Sequence, residues 1–239
     1  MNTPVFRLNP TVVSRVVWRD LFAELDLEID QVRSRLAKLW EQCEATRAKM
    51  EYNTGSISAA SGLALYALAR RFKPRNVFEV GTFVGKSTVS LALGMDAARA
   101  EGGNVYTCDA SNDFFLAYDG GATKITGFPR RTSTQALGEL AARSAAGPIE
   151  LFHLDGRLDP ADLAPLQKIA RPDAIFAIDD FEGAEKGVAN LSLLRSQQWL
   201  RGHVLAYPPD RELLAAHGLT STSTTALLLP AALFGFTNQ

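Results

Sequence analysis

One short run of sequence constrains the fold of this 239-residue chain more than any other: Phe78-Glu79-Val80-Gly81-Thr82-Phe83-Val84-Gly85-Lys86-Ser87-Thr88. The run follows an apolar, strand-like segment and leads into a helix-like one. Gly81 and Gly85 allow the backbone to turn sharply and to approach a ligand closely. The first N–H groups of the following helix would face that ligand, and they favour a carboxylate or a phosphate. The run therefore predicts a strand–turn–helix unit that binds a ligand with an anionic group.

The rest of the chain repeats this alternation of strand-like and helix-like segments. The apolar, strand-like runs cover residues 77–80, 105–108, 149–154, 174–178, 204–207 and 225–229, with a further short strand near Ile125. Helix-like segments include residues 87–100, 135–144 and 182–196. Alternation of this kind predicts βαβ units. We therefore predict an α/β fold with a Rossmann-like, doubly wound, mostly parallel sheet, helices on both of its faces and additional N-terminal helices.

The N-terminal part is predicted to be helical, with one helix over about residues 18–50. Its apolar residues recur every three or four positions, at Phe22, Leu25, Ile29, Val32, Leu36, Leu39 and Cys43. Such a stripe packs a helix against its own domain, and it is also long enough to pair with a second copy of the chain as a homodimer. Another helix is predicted from a cap at Ser56 to about Arg71, where Lys73-Pro74 ends it. We divide the chain into an N-terminal helical segment, 1–75, which serves as a lid or dimer contact, and a ligand-binding domain, 76–239.

The charges of the chain nearly cancel, which narrows the classes of partner. Lys and Arg number 25 against 26 Asp and Glu, so the formal net charge is −1. This balance gives no general attraction to nucleic acid or to an anionic membrane. The sequence shows no apolar run that could cross a bilayer and no secretory signal. Cys43 and Cys108 form no metal or disulfide pattern, so we expect a cytoplasmic protein.

Three ligand classes compete for the glycine run. A phosphate-binding P-loop needs four residues between its first glycine and the Gly-Lys pair, and here only three intervene. A nicotinamide site would show Gly-x-Gly-x-x-Gly, which this run lacks. The run instead has an acidic residue, Glu79, two positions before Gly81 and a second glycine, Gly85, four positions after it. A second acidic residue, Asp109, ends the next strand-like run, where a carboxylate can hold ribose hydroxyls. An ordinary glycine turn without a ligand stays open at this point.

Carboxylates also follow two later strands. Asp155 comes directly after the run 149–154, and Asp179 and Asp180 come directly after the run 174–178. The carboxyl ends of parallel strands meet at one edge of a sheet, which is where ligands bind in open α/β folds. Carboxylates held close together repel each other unless a cation joins them, and Mg²⁺ prefers such oxygen ligands. The alternative is that each Asp caps a turn or a helix.

Together these motifs resemble class I S-adenosylmethionine-dependent methyltransferases. The similarity is to the cation-dependent O-methyltransferases related to catechol O-methyltransferase, and more closely to the macrocin and novobiocin-type enzymes of antibiotic pathways. It extends from about Tyr52 to Leu229. The resemblance implies that S-adenosylmethionine donates a methyl group to a small-molecule hydroxyl, and that the last strand runs antiparallel to its neighbours. It also implies that Asp155, Asp179 and Asp180 bind Mg²⁺, with Asp155 acting in catalysis through the metal.

The resemblance further assigns the cofactor-binding residues. By position, Ser87 would contact the methionine carboxylate, Ser133 would lie near the adenine, and Asn53 and Thr54 would lie near the methionine end. With the glycine run and the end of the second strand, the predicted set is Asn53, Thr54, Glu79, Gly81, Gly85, Ser87, Asp109 and Ser133.

One departure from both families concerns the general base. The antibiotic-pathway enzymes place an Asp where this chain has Arg157, and the catechol-type enzymes place a Lys where it has Leu158. Two alternatives therefore remain beside a Mg²⁺-assisted O-methyltransferase. One is a metal-independent or non-catalytic relative that binds the same cofactor, and the other is a P-loop-type phosphate-binding enzyme.

Overall fold

A single sheet forms the centre of the molecule. The computed structural model describes residues 9–23, 25, 28–53, 55–114, 116, 118–143 and 147–236. The strands are β1 Asn76–Val80, β2 Asn104–Asp109, β3 Lys124–Pro129, β4 Ile149–Leu154, β5 Ala170–Ile178, β6 His203–Ala206 and β7 Ala226–Pro230. Their order in the sheet is β3-β2-β1-β4-β5-β7-β6. β7 runs antiparallel to β5 and β6, whereas the other neighbouring strands pair in parallel. The predicted doubly wound sheet and its antiparallel last strand are both confirmed.

Helices cover both faces of this sheet. They are α1 Pro10–Ala23, α2 Ile29–Glu44, α3 Ala59–Phe72, α4 Lys86–Ala98, α5 Ser133–Ala142, α6 Leu163–Ile169, α7 Gly187–Arg195 and α8 Arg211–Ala216. Alternate residues of the central strands point to opposite faces. Val77 and Leu151 accordingly pack with α1–α4 and α8, whereas Phe78 and Phe152 pack with α5, α6 and α7. No helix in the part of the chain that the structure describes is long and apolar enough to cross a membrane.

The N-terminal helices differ from their predicted bounds. The single helix expected over 18–50 is wrong, because α1 ends at Ala23 and α2 begins at Ile29. Buried Leu25 lies between them, where its N–H donates to the carbonyl of Phe22 and its own carbonyl accepts from Glu28 in a turn. The apolar stripe stays on one side across the break and packs into the core of its own chain. The homodimer therefore stays a prediction.

The start of α3 also differs from the prediction. The expected cap at Ser56 is wrong, since Ser58 is the residue whose side chain accepts from the N–H of Ser61, at 3.0 Å. The backbone of Ser58 is extended, as a capping residue requires. The helix ends at Phe72, directly before the Lys73-Pro74 pair that was expected to end it.

Candidate active site

The turn after β1 lies at the point where the strand order of the sheet reverses, between β1 and β4. Gly81 and Gly85 adopt φ angles of +99° and +87°, in the region that favours glycine. A Cβ on Gly81 would stand 3.0 Å from the carbonyl carbon of Asp155 and 3.1 Å from the nitrogen of Gly156. A Cβ on Gly85 would overlap the side chain of Leu116. The turn therefore packs directly on the segment that follows β4, and neither glycine can be replaced without movement.

Lys86 follows the second glycine but is held by the N-terminal helices. Its ammonium pairs with Glu44 of α2 and lies 5.2 Å from the ring centre of Trp40. In a P-loop the corresponding lysine reaches the phosphates of the nucleotide. This contact gives the P-loop interpretation no support.

Glu79 lies in the middle of the sheet, fully buried beneath the turn. Its carboxylate accepts from Thr107 of β2, at 2.6 Å, and from Thr88 of α4, and it contacts Nδ1 of His153 of β4 at 2.9 Å. Burial alone would raise the pKa of Glu79, but the hydrogen bond and charge of His153 outweigh it and lower that pKa. Burial would likewise lower the pKa of His153, and Glu79 reverses the direction and raises it. Glu79 was predicted as a cofactor ligand, and its contacts in the structure join β1 to β2, β4 and α4.

Asp109 holds the loops on the other side of the turn. One of its oxygens, Oδ2, accepts from the N–H of Phe83 at 2.8 Å. The other, Oδ1, accepts from the N–H groups of Ser111 and Asn112 at 2.8 and 3.0 Å. The carboxylate is nearly buried and borders a cavity of about 430 Å³ that Gly81 and Ser133 also line. Asp109 therefore shapes the floor of a space large enough for part of a cofactor.

The remaining predicted cofactor residues are spread around this turn. Ser87 is buried in the first turn of α4. Ser133 begins α5, and its hydroxyl donates to Asp162 at 2.6 Å. Asn53 accepts from Arg47, at 2.8 Å, and the guanidinium of Arg47 lies 4.9 Å from the ring centre of Phe83 in the glycine turn. Thr54 lies outside the described residues.

The three predicted metal ligands meet at the same edge, on the opposite side of Gly81. One carboxylate oxygen each of Asp155, Asp179 and Asp180 lies within 4.8 Å of the other two. Buried Asp179 accepts from the hydroxyls of Thr224 and Thr225, at 2.7 and 2.9 Å. A second cavity, of about 310 Å³, is lined by all three carboxylates and again by Gly81. The structure thus brings the cluster together beside the glycine turn.

A lysine that the sequence analysis missed lies within this cluster. Nζ of Lys186 is 2.7 Å from Oδ1 of Asp155, 2.7 Å from the carbonyl oxygen of Asp155, and paired with Asp180. Burial raises the pKa of Asp155 to about 6, and the charge of Asp179 adds to the rise. Burial would lower the pKa of Lys186, but Asp155 and Asp180 outweigh it and raise that pKa. The available signal was a lysine in the same loop as Asp179-Asp180, just before α7.

The two positions that lack the familiar base contribute no base in the structure either. Nε of Arg157 donates to the carbonyl oxygen of Glu185 at 3.1 Å, and the side chain borders the 430 Å³ cavity. Leu158 is buried, and its N–H donates to Asn190 at 2.9 Å. Among the described residues that line the 310 Å³ cavity, the titratable ones are Asp155, Asp179, Asp180 and Lys186.

Comparisons with known proteins agree with the fold. Residues 78–181 match a family model described as a methyltransferase domain. The O-methyltransferase TomG of Streptomyces achromogenes, involved in tomaymycin synthesis and solved with SAM, is 21% identical over 80% of this chain and 88% of its own, with a TM-score of 0.55. A Bacillus cereus O-methyltransferase solved with SAH is 14% identical over 91% of this chain and 96% of its own, also with a TM-score of 0.55.

A third structure, the methyltransferase PaMTH1 of Podospora anserina solved with SAH, has a TM-score of 0.51. It is 14% identical over 86% of this chain and 96% of its own. No curated protein matches the sequence of this chain. At these levels of identity the solved structures establish a shared fold.

Proposed function

We propose that this chain, which carries a class I methyltransferase domain, transfers a methyl group from S-adenosylmethionine to a hydroxyl oxygen of a small molecule. One observation carries the proposal: Gly81 lines two cavities, one bordered by Asp109 and the other by the acidic cluster. A donor that spans both sides of this glycine would place its methyl group beside the cluster. Ligands bind at this edge in open α/β sheets.

The larger cavity suits the adenosine part of the donor. Three of the four acceptor sites of the Asp109 carboxylate are used by backbone N–H groups, so the remaining site, on Oδ2, can accept from one ribose hydroxyl. Ser133 stands at the far wall, at the start of α5, where an adenine would lie. The methionine end would then face Gly81, Gly85 and the start of α4, whose free N–H groups favour its carboxylate.

The smaller cavity suits the acceptor. When the hydroxyl oxygen attacks the methyl carbon, an O–C bond forms, the C–S bond of the sulfonium breaks, and the hydroxyl proton must leave. Catalysis of such a displacement rests mainly on holding the two reactants in line. Asp155 and Asp180 border this cavity, so a carboxylate oxygen is available to accept the hydroxyl hydrogen.

Mg²⁺ was predicted at Asp155, Asp179 and Asp180, and their oxygens are the ligands that this ion prefers. The surrounding contacts fit it less well. Lys186 pairs with Asp155 and Asp180, and two threonines donate to Asp179. A metal would have to displace the ammonium, so these residues do not fit a resident Mg²⁺ as they stand. Mg²⁺ assistance therefore forms no part of this proposal, and no step above depends on it.

Two further predictions belong to this proposal. The segment 1–75 would act as a lid or a homodimer contact, and exposed Val12 and Val16 on α1 offer an apolar surface for it. A small-molecule acceptor and a cytoplasmic location complete the proposal, with no part for nucleic acid or membrane.

Calorimetric titration with S-adenosylhomocysteine and with ATP tests the donor site. We expect binding of the first and none of the second. Asp109→Ala should weaken S-adenosylhomocysteine binding by about 1.5–3 kcal/mol, the usual cost of losing hydrogen bonds to a charged group. Asp113→Ala, an exposed Asp in the same loop, is the matched control and should bind like the wild type.

Methyl transfer is then followed with a radiolabelled donor and a panel of phenols and alcohols. Labelled methyl ethers are the expected product. Tight binding of ATP would contradict the proposal at the donor site. Binding of S-adenosylhomocysteine without transfer to any hydroxyl would favour the non-catalytic alternative.

A further inference from the structure

The acidic cluster already contains a cation supplied by the chain itself. An ammonium has three N–H donors, and Lys186 has three acceptors within reach: Oδ1 and the carbonyl oxygen of Asp155, and a carboxylate oxygen of Asp180. Its side chain is 31% exposed and that of Asp155 is 22% exposed, so water screens the pair only in part. A positive charge at this position reduces the repulsion among the three neighbouring carboxylates.

We propose that Lys186 is the resident cation of this site, that it takes the place of a divalent metal, and that methyl transfer here is independent of metal. The part of this inference that concerns methyl transfer rests on the proposed function. The position of Lys186 itself does not depend on that function.

The backbone around Lys186 keeps it at the cluster. Lys186 immediately precedes α7, and the next residue, Gly187, packs tightly against the segment that carries two of the carboxylates. A Cβ on Gly187 would stand 2.6 Å from Cα of Phe181, 2.7 Å from the carbonyl oxygen of Asp180 and 2.9 Å from that of Asp179. This close approach brings the start of α7 onto the end of β5. Lys186 is therefore anchored beside the carboxylates by its backbone as well as by its side chain.

The third carboxylate of the cluster, Asp179, also has donors from the chain itself. Asp179 takes its hydrogen bonds from Thr224 and Thr225, which lie just before β7. With two hydroxyl donors on Asp179 and an ammonium on Asp155 and Asp180, each carboxylate has a donor from the chain. Removing a partner from a buried charge is costly. A metal that entered would therefore have to compensate for an expelled ammonium.

In this arrangement Lys186 is a positioning residue. Its three N–H groups are used by Asp155 and Asp180, so its part is to join these two carboxylates and to fix them beside the second cavity. An acceptor hydroxyl that enters the cavity would then meet carboxylate oxygens that are fixed in place.

The test compares Lys186→Met with the wild type for binding of Mn²⁺. Electron paramagnetic resonance follows the loss of the free Mn²⁺ signal, and thermal unfolding is measured in EDTA and at rising Mn²⁺ or Mg²⁺. The wild type should leave Mn²⁺ free and show the same melting temperature in all of these conditions. Lys186→Met should melt lower in EDTA, bind Mn²⁺ and regain its melting temperature as the metal concentration rises.

Matched variants locate the effect. Adding Asp179→Asn to Lys186→Met should abolish the gained Mn²⁺ binding, because it removes a metal ligand. Lys186→Arg keeps the charge and should behave like the wild type. Lys38→Met, at an exposed position of α2, should change neither the melting temperature nor Mn²⁺ binding. If Lys186→Met does not fold, Lys186→Gln, which retains an N–H donor, takes its place.

Two results would overturn the proposal. One is a wild type that binds Mn²⁺ and loses it with Asp155→Asn. The other is a Lys186→Met protein whose stability and metal binding match the wild type. Methyl transfer in EDTA is measured separately, and we expect it to be unchanged. A chain that binds no S-adenosylhomocysteine would refute the proposed function, while the Mn²⁺ titration would still decide the role of Lys186.

Discussion

The two sides of the glycine turn hold their carboxylates in different ways. On the side of β2, Asp109 is satisfied by backbone N–H groups of the glycine turn and of its own loop. On the side of β4 and β5, the three carboxylates accept from side chains. Lys186 donates to Asp155 and Asp180, and Thr224 donates to Asp179. Backbone donors are present whatever the side chain, whereas an ammonium or a hydroxyl depends on one residue type. The hydrogen-bond donors on the first side therefore persist when neighbouring side chains change, whereas single substitutions can remove those on the second side.

This difference suits the two proposed ligands. A cofactor is the same in every enzyme that uses it, so a site made of backbone groups serves it well. Acceptors differ between enzymes, and loops that vary freely usually shape their pockets. The chain places its adjustable contacts, including Lys186 in the loop before α7, on the acceptor side.

We expect the strongest effect from Gly81→Val, because Gly81 lines both cavities. The new side chain would meet the backbone at Asp155 and Gly156, and a β-branched residue is strained at a φ of +99°. We expect calorimetry to detect no binding of S-adenosylhomocysteine. Gly138→Val, at a glycine of α5 whose Cβ would meet nothing within 4 Å, is the control and should bind normally. Binding close to that of the wild type in Gly81→Val would remove the turn from the donor site.

The next largest effect should come from beneath the turn. His153→Leu leaves the buried carboxylate of Glu79 without its partner on β4, and such a loss costs about 3–5 kcal/mol. Urea unfolding should show this decrease in the free energy of unfolding. The double variant Glu79→Leu/His153→Leu should recover part of the loss, since no buried carboxylate is left without a partner. Asp30→Asn removes half of an exposed pair with Arg33 and should cost at most about 1 kcal/mol.

His153→Leu also tests how the two sides of the glycine turn are connected. Glu79 and His153 are register partners on β1 and β4, so their pair joins the two sides of the turn. The variant should therefore lose stability whether or not a ligand is bound. A protein that keeps full stability and loses only S-adenosylhomocysteine binding would instead make Glu79 a direct cofactor ligand.

Sequence patterns predicted the glycine turn more completely than the contacts of the acidic cluster. The turn at Gly81 and Gly85 and the carboxylate at Asp109 follow from local spacing, and residues 78–181, which include all three, match a family model described as a methyltransferase domain. Lys186 was missed because its partner Asp155 is 31 residues away, and nothing in the spacing links the two. A pattern of like charges indicates that a cation is needed but does not show which one supplies it.

The helical errors have a similar cause. The apolar stripe from Phe22 to Cys43 continues across the break between α1 and α2, because buried Leu25 stays on the same side of a non-helical turn. Periodicity indicates which side chains are buried. It does not detect a turn after which the apolar residues still lie on the same side. For α3, serines at 56 and 58 both suit a cap, and contacts with a distant loop separate them: the hydroxyl of Ser58 donates to the carbonyl of Thr222 at 2.6 Å.

The smallest expected effect concerns the acceptor side alone and depends on pH. Burial raises the pKa of Asp155 from 3.8 to about 6, so the folded protein binds this proton more tightly than the unfolded chain does. Ionisation of Asp155 therefore lowers stability as the pH rises from 3.8 to about 6, and the loss stays constant above that range. A rise of about two pKa units corresponds to on the order of 3 kcal/mol, as an upper value.

Asp155→Asn removes this penalty. The melting temperature of the variant, relative to the wild type, should increase as the pH rises through the same range and then level off. Asp173→Asn is the control with the opposite sign, because a hydrogen bond from Arg171 lowers the pKa of Asp173 and makes its ionisation stabilising. Its relative melting temperature should fall as the pH rises from acid. Parallel curves for the two variants would show that ionisation of Asp155 does not destabilise the fold. The carboxylates on the two sides of the turn would then differ in their hydrogen-bond donors but not in the electrostatic cost of ionisation.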